Sequence, residues 1–191
     1  MRILVTGGND SGKSRYAERT IAALAERTDC PRLLYLATLD AHSGGDTPVR
    51  IARHRAQRRA LHFRTIECPR ADCAIFSHCS PRSDCVLLED IGNLCANEFF
   101  LPPDYAAQDS ERCFGAIMRF FDTLFASCAQ AVLVANNIAE AAPFWEEIPC
   151  QTLAYLRLLG RVTNALAARC DAVHELVCGI PLQHSMKSHI I

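Results

Sequence analysis

Residues 7 to 14 read GGNDSGKS, directly after the apolar run Ile3-Leu4-Val5 and before a stretch with helical spacing. Gly7, Gly12, Lys13 and Ser14 satisfy G-x-x-x-x-G-K-S between a strand and a helix, the context that pattern requires. Such glycines let the backbone wrap closely, so that successive amides point at phosphate oxygens, and the following helix N-terminus adds its positive end. Lys13 is expected to reach the β- and γ-phosphates, and Ser14 to offer its hydroxyl to Mg²⁺. The expected ligand is a nucleoside triphosphate, GTP or ATP. A binding loop does not by itself fix a reaction.

An acid at the end of another buried strand is the usual metal partner, and Asp84-Cys85-Val86-Leu87-Leu88-Glu89-Asp90 ends in two. Side chains alternate along a strand, so one of Glu89 and Asp90 should face the nucleotide.

The second stretch with chemical potential is TPVRIARHRAQRRALHFR, residues 47 to 64, with six arginines and two histidines. Thr47 followed by Pro48 is a helix start, a capping residue and then proline in the first turn. A helix running to about Ala60 places Arg50, His54 and Arg58 four apart on one face. Neighbouring positive charges disfavour protonation of the imidazole, which keeps it neutral and nucleophilic. Arg50, Arg55 and Arg58 are candidates for binding and neutralising a polyphosphate. The combination suits covalent nucleotidyl transfer through a histidine. The bland alternative is a solvated or passively phosphate-binding arginine face. A nucleic-acid partner is not expected, because Phe63 is the one aromatic residue interleaved with these charges.

These groups need a frame. The 191 residues suit one domain spanning positions 1 to 191, half of them apolar, with a formal net charge of −1. Continuous apolar runs at Arg2–Thr6, Leu33–Ala37, Cys85–Glu89, Ala131–Asn136 and His174–Cys178 predict strands of a parallel sheet covered on both faces. Phe63–Glu67 alternates and predicts an edge strand. Helical stripes fall between them: Ala17, Ile21, Leu24 and Ala25; then Phe114, Ile117, Met118, Phe121 and Phe125; then Leu156, Leu159, Val162 and Leu166. The expected class is α/β, with helices on both sides of the sheet. Polar stretches at 40–48 and 101–110 read as loops.

The eleven cysteines show no CxxC pair. They read as reduced, mostly core residues of a cytoplasmic protein. Cys68, Cys73, His78, Cys79 and Cys85 are the densest group, with spacing too irregular for the usual metal patterns. The first strand begins within three residues, so no signal peptide is expected, and no apolar run approaches the ~20 residues of a membrane span.

Several segments in order carry a resemblance. RILVTGG-x-x-SGKSRYAE is followed by LLYLAT at 33–38, RIARHRAQRR at 50–59 and HFRTIECP at 62–69. VLLED with Asn97 downstream, AVLVANN and GRVTNALAARCDAVHELVCGIPL complete the set. The chain resembles the bifunctional adenosylcobinamide kinase / adenosylcobinamide-phosphate guanylyltransferase family of cobalamin biosynthesis, from Arg2 to about Leu182. The resemblance implies a RecA-like P-loop domain that phosphorylates the aminopropanol hydroxyl of adenosylcobinamide. It further implies transfer of GMP from GTP to that phosphate through a guanylylated histidine. His54 matches the family's histidine block, with His62 a lesser candidate. By the same matching Gly8, Asn9, Asp10, Ser11, Gly12, Lys13 and Ser14 cradle phosphates, and Thr38 lines the nucleotide site. Glu67 contacts the guanine nucleotide, and Glu89 serves magnesium or the acceptor hydroxyl. A homo-oligomer is implied, a trimer with sites between subunits.

The chain departs from the family pattern in places. Asp10 stands where a basic residue is usual, and the segment around Gly92-Asn93 differs. After Asn136, where the family has a glutamate and a glycine-containing segment, it reads Asn137-Ile138-Ala139-Glu140-Ala141-Ala142, with extra residues through Trp145 to Pro149. Two other readings therefore stay open. One is a kinase-only paralogue acting on another hydroxylated small molecule; the other is a non-catalytic GTP-binding switch.

Overall fold

The computed structural model describes residues 1–30, 32–39, 61–100, 109–137 and 148–184. Its frame is one seven-stranded sheet in the order β3-β2-β4-β5-β1-β6-β7. The strands are β1 (Arg2–Gly7), β2 (Arg32–Ala37), β3 (Arg64–Glu67), β4 (Asp84–Glu89), β5 (Gln130–Asn136), β6 (Ala172–Val177) and β7 (Ile180–His184). All pairings are parallel except β6 with β7. One strand, β5, separates the loop-bearing β1 from the acid-bearing β4, the order of RecA-like P-loop domains.

Alternation along the strands sorts their side chains into two core layers. Ile3, Val5, Tyr35, Cys85, Leu87, Val132 and Val134 pack with Ala17, Ile21, Leu24 and Ala25 of helix α1 (Lys13–Arg27). Leu4, Leu34, Leu36, Val86, Leu88, Leu133 and Val173 face the other way. Helices α2 (Ile91–Phe100), α3 (Ser110–Ser127) and α4 (Cys150–Arg169) cover that second face. Both faces are thus covered, which is why the central strands read as unbroken apolar runs.

Each expected strand is present, and β3 is an edge strand, as is β7 at the other side of the sheet. Differences lie where local chemistry outweighs pattern. Helix α3 begins at Ser110, inside the stretch read as a loop, because the Asp109 side chain accepts from the amides of Glu111 and Arg112. Phe114 and Leu156 are half-buried rather than core: the Arg161 guanidinium lies 4.5 Å from the Phe114 ring centroid, and Leu156 lines a cavity. Phe120 and Leu158 are buried instead. Strand β7, helix α2 and a 3-10 turn at Cys73–His78 were not expected. Cys68 and Cys85 belong to the two different core layers and do not converge. No group of three or more metal-binding side chains comes together among the described residues. All eleven cysteines are free, and burial raises the thiols of Cys68, Cys128 and Cys170 to about 12, so these stay protonated. No helix among the described residues is long and apolar enough to cross a membrane.

A polar contact between Tyr16 and His174 helps tie α1 to the sheet. Tyr16 Oη lies 2.9 Å from His174 Nδ1, while His174 Nε2 is buried with no hydrogen-bond partner among the described residues. Burial lowers the His174 pKa below its usual 6.5. On acidification the unfolded chain therefore takes up this proton first, and stability falls as pH drops from about 6.5 through the lower folded value. Replacing His174 by Asn, which keeps a polar atom near the Nδ1 position, should flatten the dependence of Tm on pH between 7.5 and 5.5. Equal slopes for the two proteins would show that this histidine does not carry it.

Candidate functional site

The loop leaving β1 turns on Gly7, at φ +148, where a Cβ would lie 2.5 Å from the Leu176 carbonyl oxygen of neighbouring β6. Only glycine fits. Asp10 follows at φ 53 and Gly12 at φ 90, the latter as the residue capping α1. Aspartate is among the side chains that tolerate this left-handed conformation. Asn9 and Asp10 are exposed, Gly8 half-exposed. The Ser11 hydroxyl is buried with no partner among the described residues, a spare polar group inside the cradle.

Lys13 is 6% exposed, and its Nζ donates to the Gly8 carbonyl at 2.5 Å. Burial pulls its pKa down; Asp90, Glu89 and Asp10, in that order, push it back up. An ammonium so enclosed, and folded onto its own loop, is placed to meet a polyanion.

Glu89 shares the α1-facing side of β4 with Cys85 and Leu87. Its carboxylate accepts hydrogen bonds from the Ser14 hydroxyl and, at 3.1 Å, from Tyr35 Oη. Asp90 turns elsewhere. Its carboxylate accepts from the Asn93 amide at 2.6 Å, capping α2, and from Asn136 Nδ2 at 2.8 Å. Alternation thus hands the P-loop serine to Glu89. Yet the Asp90 carboxylate, more than Glu89, counters the effect of burial on Lys13, so both acids bear on the site.

Thr38 is fully buried at the tip of β2, where its hydroxyl donates to the Asp90 carbonyl at 2.8 Å and accepts from the Asp90 amide at 2.6 Å. It braces the strand end that carries the acids. Asn97 on α2 holds the same region, donating to the carbonyls of Thr38 and Pro69, each at 2.9 Å. Glu67 is exposed at the end of β3, opposite Ala37. Four strand spacings, about 19 Å, separate β3 from β1, so Glu67 and the phosphate loop do not meet within the chain. His62 is exposed in a turn at φ 53. The expected helix from Thr47, with Arg50, His54, Arg55 and Arg58, lies outside the described residues.

The described structure places the phosphate loop, Ser14 and Glu89 side by side. Reading of the sequence missed Asn136, Tyr35 and the double role of Asp90. An acid preceding Ile91-Gly92-Asn93-Leu94 is a helix-capping signal that would have disclosed part of it.

If the buried ammonium meets the β- and γ-phosphates, Lys13→Ala should weaken triphosphate binding by about 10- to 100-fold, the range of a charge-assisted hydrogen bond. Monophosphate binding should change much less. Titration calorimetry with both nucleotides decides it, and equal weakening of the two would remove Lys13 from the terminal phosphates.

With that geometry in hand, comparison with known proteins is specific. The family model "Cobinamide kinase / cobinamide phosphate guanyltransferase" matches residues 3–184. The bifunctional adenosylcobalamin biosynthesis protein CobU of Salmonella typhimurium is 36% identical, covering 94% of this chain and 97% of that protein. CobU of Escherichia coli is 34% identical over the same shares, and CobP of Pseudomonas aeruginosa is 31% identical over 95% and 96%. Among solved structures, an ATPase domain gives a TM-score of 0.47 at 9% identity, covering 91% of this chain and 68% of that one. The chain belongs to the cobinamide kinase / cobinamide phosphate guanyltransferase family.

Proposed function

We propose that this chain phosphorylates adenosylcobinamide with a nucleoside triphosphate and then transfers GMP from GTP to the resulting phosphate. The observation that carries the first step is the meeting of Ser14 and Glu89 beside the enclosed ammonium of Lys13. In that step the acceptor hydroxyl oxygen forms a bond to the γ-phosphorus, the bond to the bridging oxygen breaks, and nucleoside diphosphate leaves with the electron pair. The hydroxyl proton is released to water. Lys13 and the loop amides hold the charge that develops on the phosphate oxygens. A hydroxyl paired with a carboxylate is a hard oxygen donor set that suits Mg²⁺. Ser14 and Glu89 would hold that ion, which supplies charge neutralisation at the phosphates when bound.

The second step is assigned to His54. Its imidazole nitrogen attacks the α-phosphorus of GTP, forming a P–N bond as the bond to the β-phosphate oxygen breaks and pyrophosphate leaves. A phosphate oxygen of adenosylcobinamide phosphate then displaces histidine, giving a diphosphate linkage and the free enzyme. Arg50, Arg55 and Arg58 would neutralise the polyphosphate, and Glu67 would contact guanine. The distance from Glu67 to the phosphate loop supports a guanine site apart from the kinase centre, or one completed by a neighbouring subunit. A homo-oligomer, specifically a trimer, fits this reading. So does the exposure of Ile180 and Leu182 on the outer strand β7. Eleven free thiols fit a reducing cytoplasm.

Incubation with GTP labelled at the α-phosphate should leave acid-labile, base-stable label on the wild-type protein and none on His54→Ala. Equal labelling of the two would refute the nucleophile. Phosphorylation of the corrinoid without any protein label would leave a kinase alone.

A further inference from the structure

Two consecutive side chains of α2 grip the chain just beyond Glu67. Asn97 Nδ2 donates to the carbonyls of Thr38 and Pro69, each at 2.9 Å. Both partners are acceptors, so the amide nitrogen, not its oxygen, belongs between them. Glu98 accepts from Arg70 Nε at 2.8 Å, from Arg70 Nη2 at 3.1 Å and from the Ala71 amide at 2.8 Å. The last β2–β4 pair is Ala37 with Glu89, and pairing with β3 closes where the Cys68 amide donates to the Ala37 carbonyl at 2.8 Å. Thr38 and Pro69 each lie one residue further on, where a carbonyl needs a partner from outside the ladder. Asn97 supplies both.

The same helix starts at the acids. Asp90 caps its first turn through the Asn93 amide, and Asn97 lies seven residues later, two turns on along the same side. Thr38 meets both ends of this strut, its hydroxyl on the Asp90 backbone and its carbonyl on Asn97. The spacing between Thr38 and the chain leaving β3 is therefore set by one side-chain amide. Pro69, at the far end of that amide, is two residues from Glu67.

We propose that Asn97 is a positioning residue for guanine recognition, holding the end of β3 so that the Glu67 carboxylate keeps a fixed place relative to Thr38. The inference rests on the assignment of Glu67 to guanine. A carboxylate meets guanine through two donors, the ring N1–H and the exocyclic N2 amine, and such bonds weaken steeply with misalignment. Hypoxanthine, the base of ITP, keeps N1–H and lacks the amine. The preference for GTP over ITP thus reports on where Glu67 stands, which overall stability does not.

The test compares full-length wild type, Asn97→Ala, Asn97→Ser and Glu67→Ala, each labelled at subsaturating GTP or ITP carrying label at the α-phosphate. Wild type should favour GTP by at least about tenfold, the scale of one charge-assisted hydrogen bond, and Asn97→Ala should bring the ratio below about threefold. Asn97→Ser, which keeps a single shorter donor, should fall between, and it decides the matter if the alanine variant does not fold. Glu67→Ala should abolish the preference. Folded Asn97 variants that keep the wild-type ratio overturn the proposal, and so does an equal loss of rate with both nucleotides, which would make Asn97 a structural tie alone. A wild type that takes no label or shows no preference, or a Glu67→Ala protein that keeps one, removes the guanine contact itself and the inference with it.

Discussion

The enclosed ammonium of Lys13 is the constraint around which the strand tips are arranged. Burial works against its charge, so the fold surrounds it with countercharge: Glu89 and Asp90 from the adjoining strand end and Asp10 from its own loop. Glu89 is held by Ser14 and Tyr35, Asp90 by the first turn of α2 and by Asn136, and Thr38 fixes the backbone between them. A polyphosphate entering this cradle would find donors already oriented and a buried Ser11 hydroxyl that has no partner among the described residues. Preorganisation of this kind lets fixed dipoles and charges act on a transferring phosphoryl group without reorganising first.

The two-residue period of the strands divides the labour between the faces of the sheet. Positions in line with Leu87 face α1 and include Glu89, which therefore meets the phosphate-loop serine. Thr6, in line with Leu4 on the other face, opens into the cavity under α4. The phosphate loop and this cavity thus meet at the strand tips, where Asn136 donates to the Asp90 carboxylate. Ligands of open α/β sheets gather at this end of the strands for the same reason.

How much of this could be read from the chain depends on whether the signal is local. The five buried strands and α1 declare themselves, because coverage on both faces leaves no polar position in Ile3-Leu4-Val5 or Val86-Leu87-Leu88. The phosphate loop is equally local: Gly7 is required by its own φ and by one close carbonyl. Strand β7 was invisible because all five of its residues are exposed, and Pro181 contributes no amide to a ladder. Helix α2 was missed because Gly92-Asn93 looks like a turn, whereas Asp90 caps the helix from outside that segment. The cavity could not be read at all. It exists only where α4 crosses the tips of β1 and β5. The arginine-flanked His54 rests on sequence pattern alone.

The most direct measurement is the fate of the γ-phosphorus when the purified chain meets adenosylcobinamide and a triphosphate. A donor carrying isotopic label at that atom should deliver it to an ester on the aminopropanol oxygen of the corrinoid. Label appearing only as inorganic phosphate, or staying on a tightly bound nucleotide, would contradict a phosphate cradle built for transfer and leave one that merely binds.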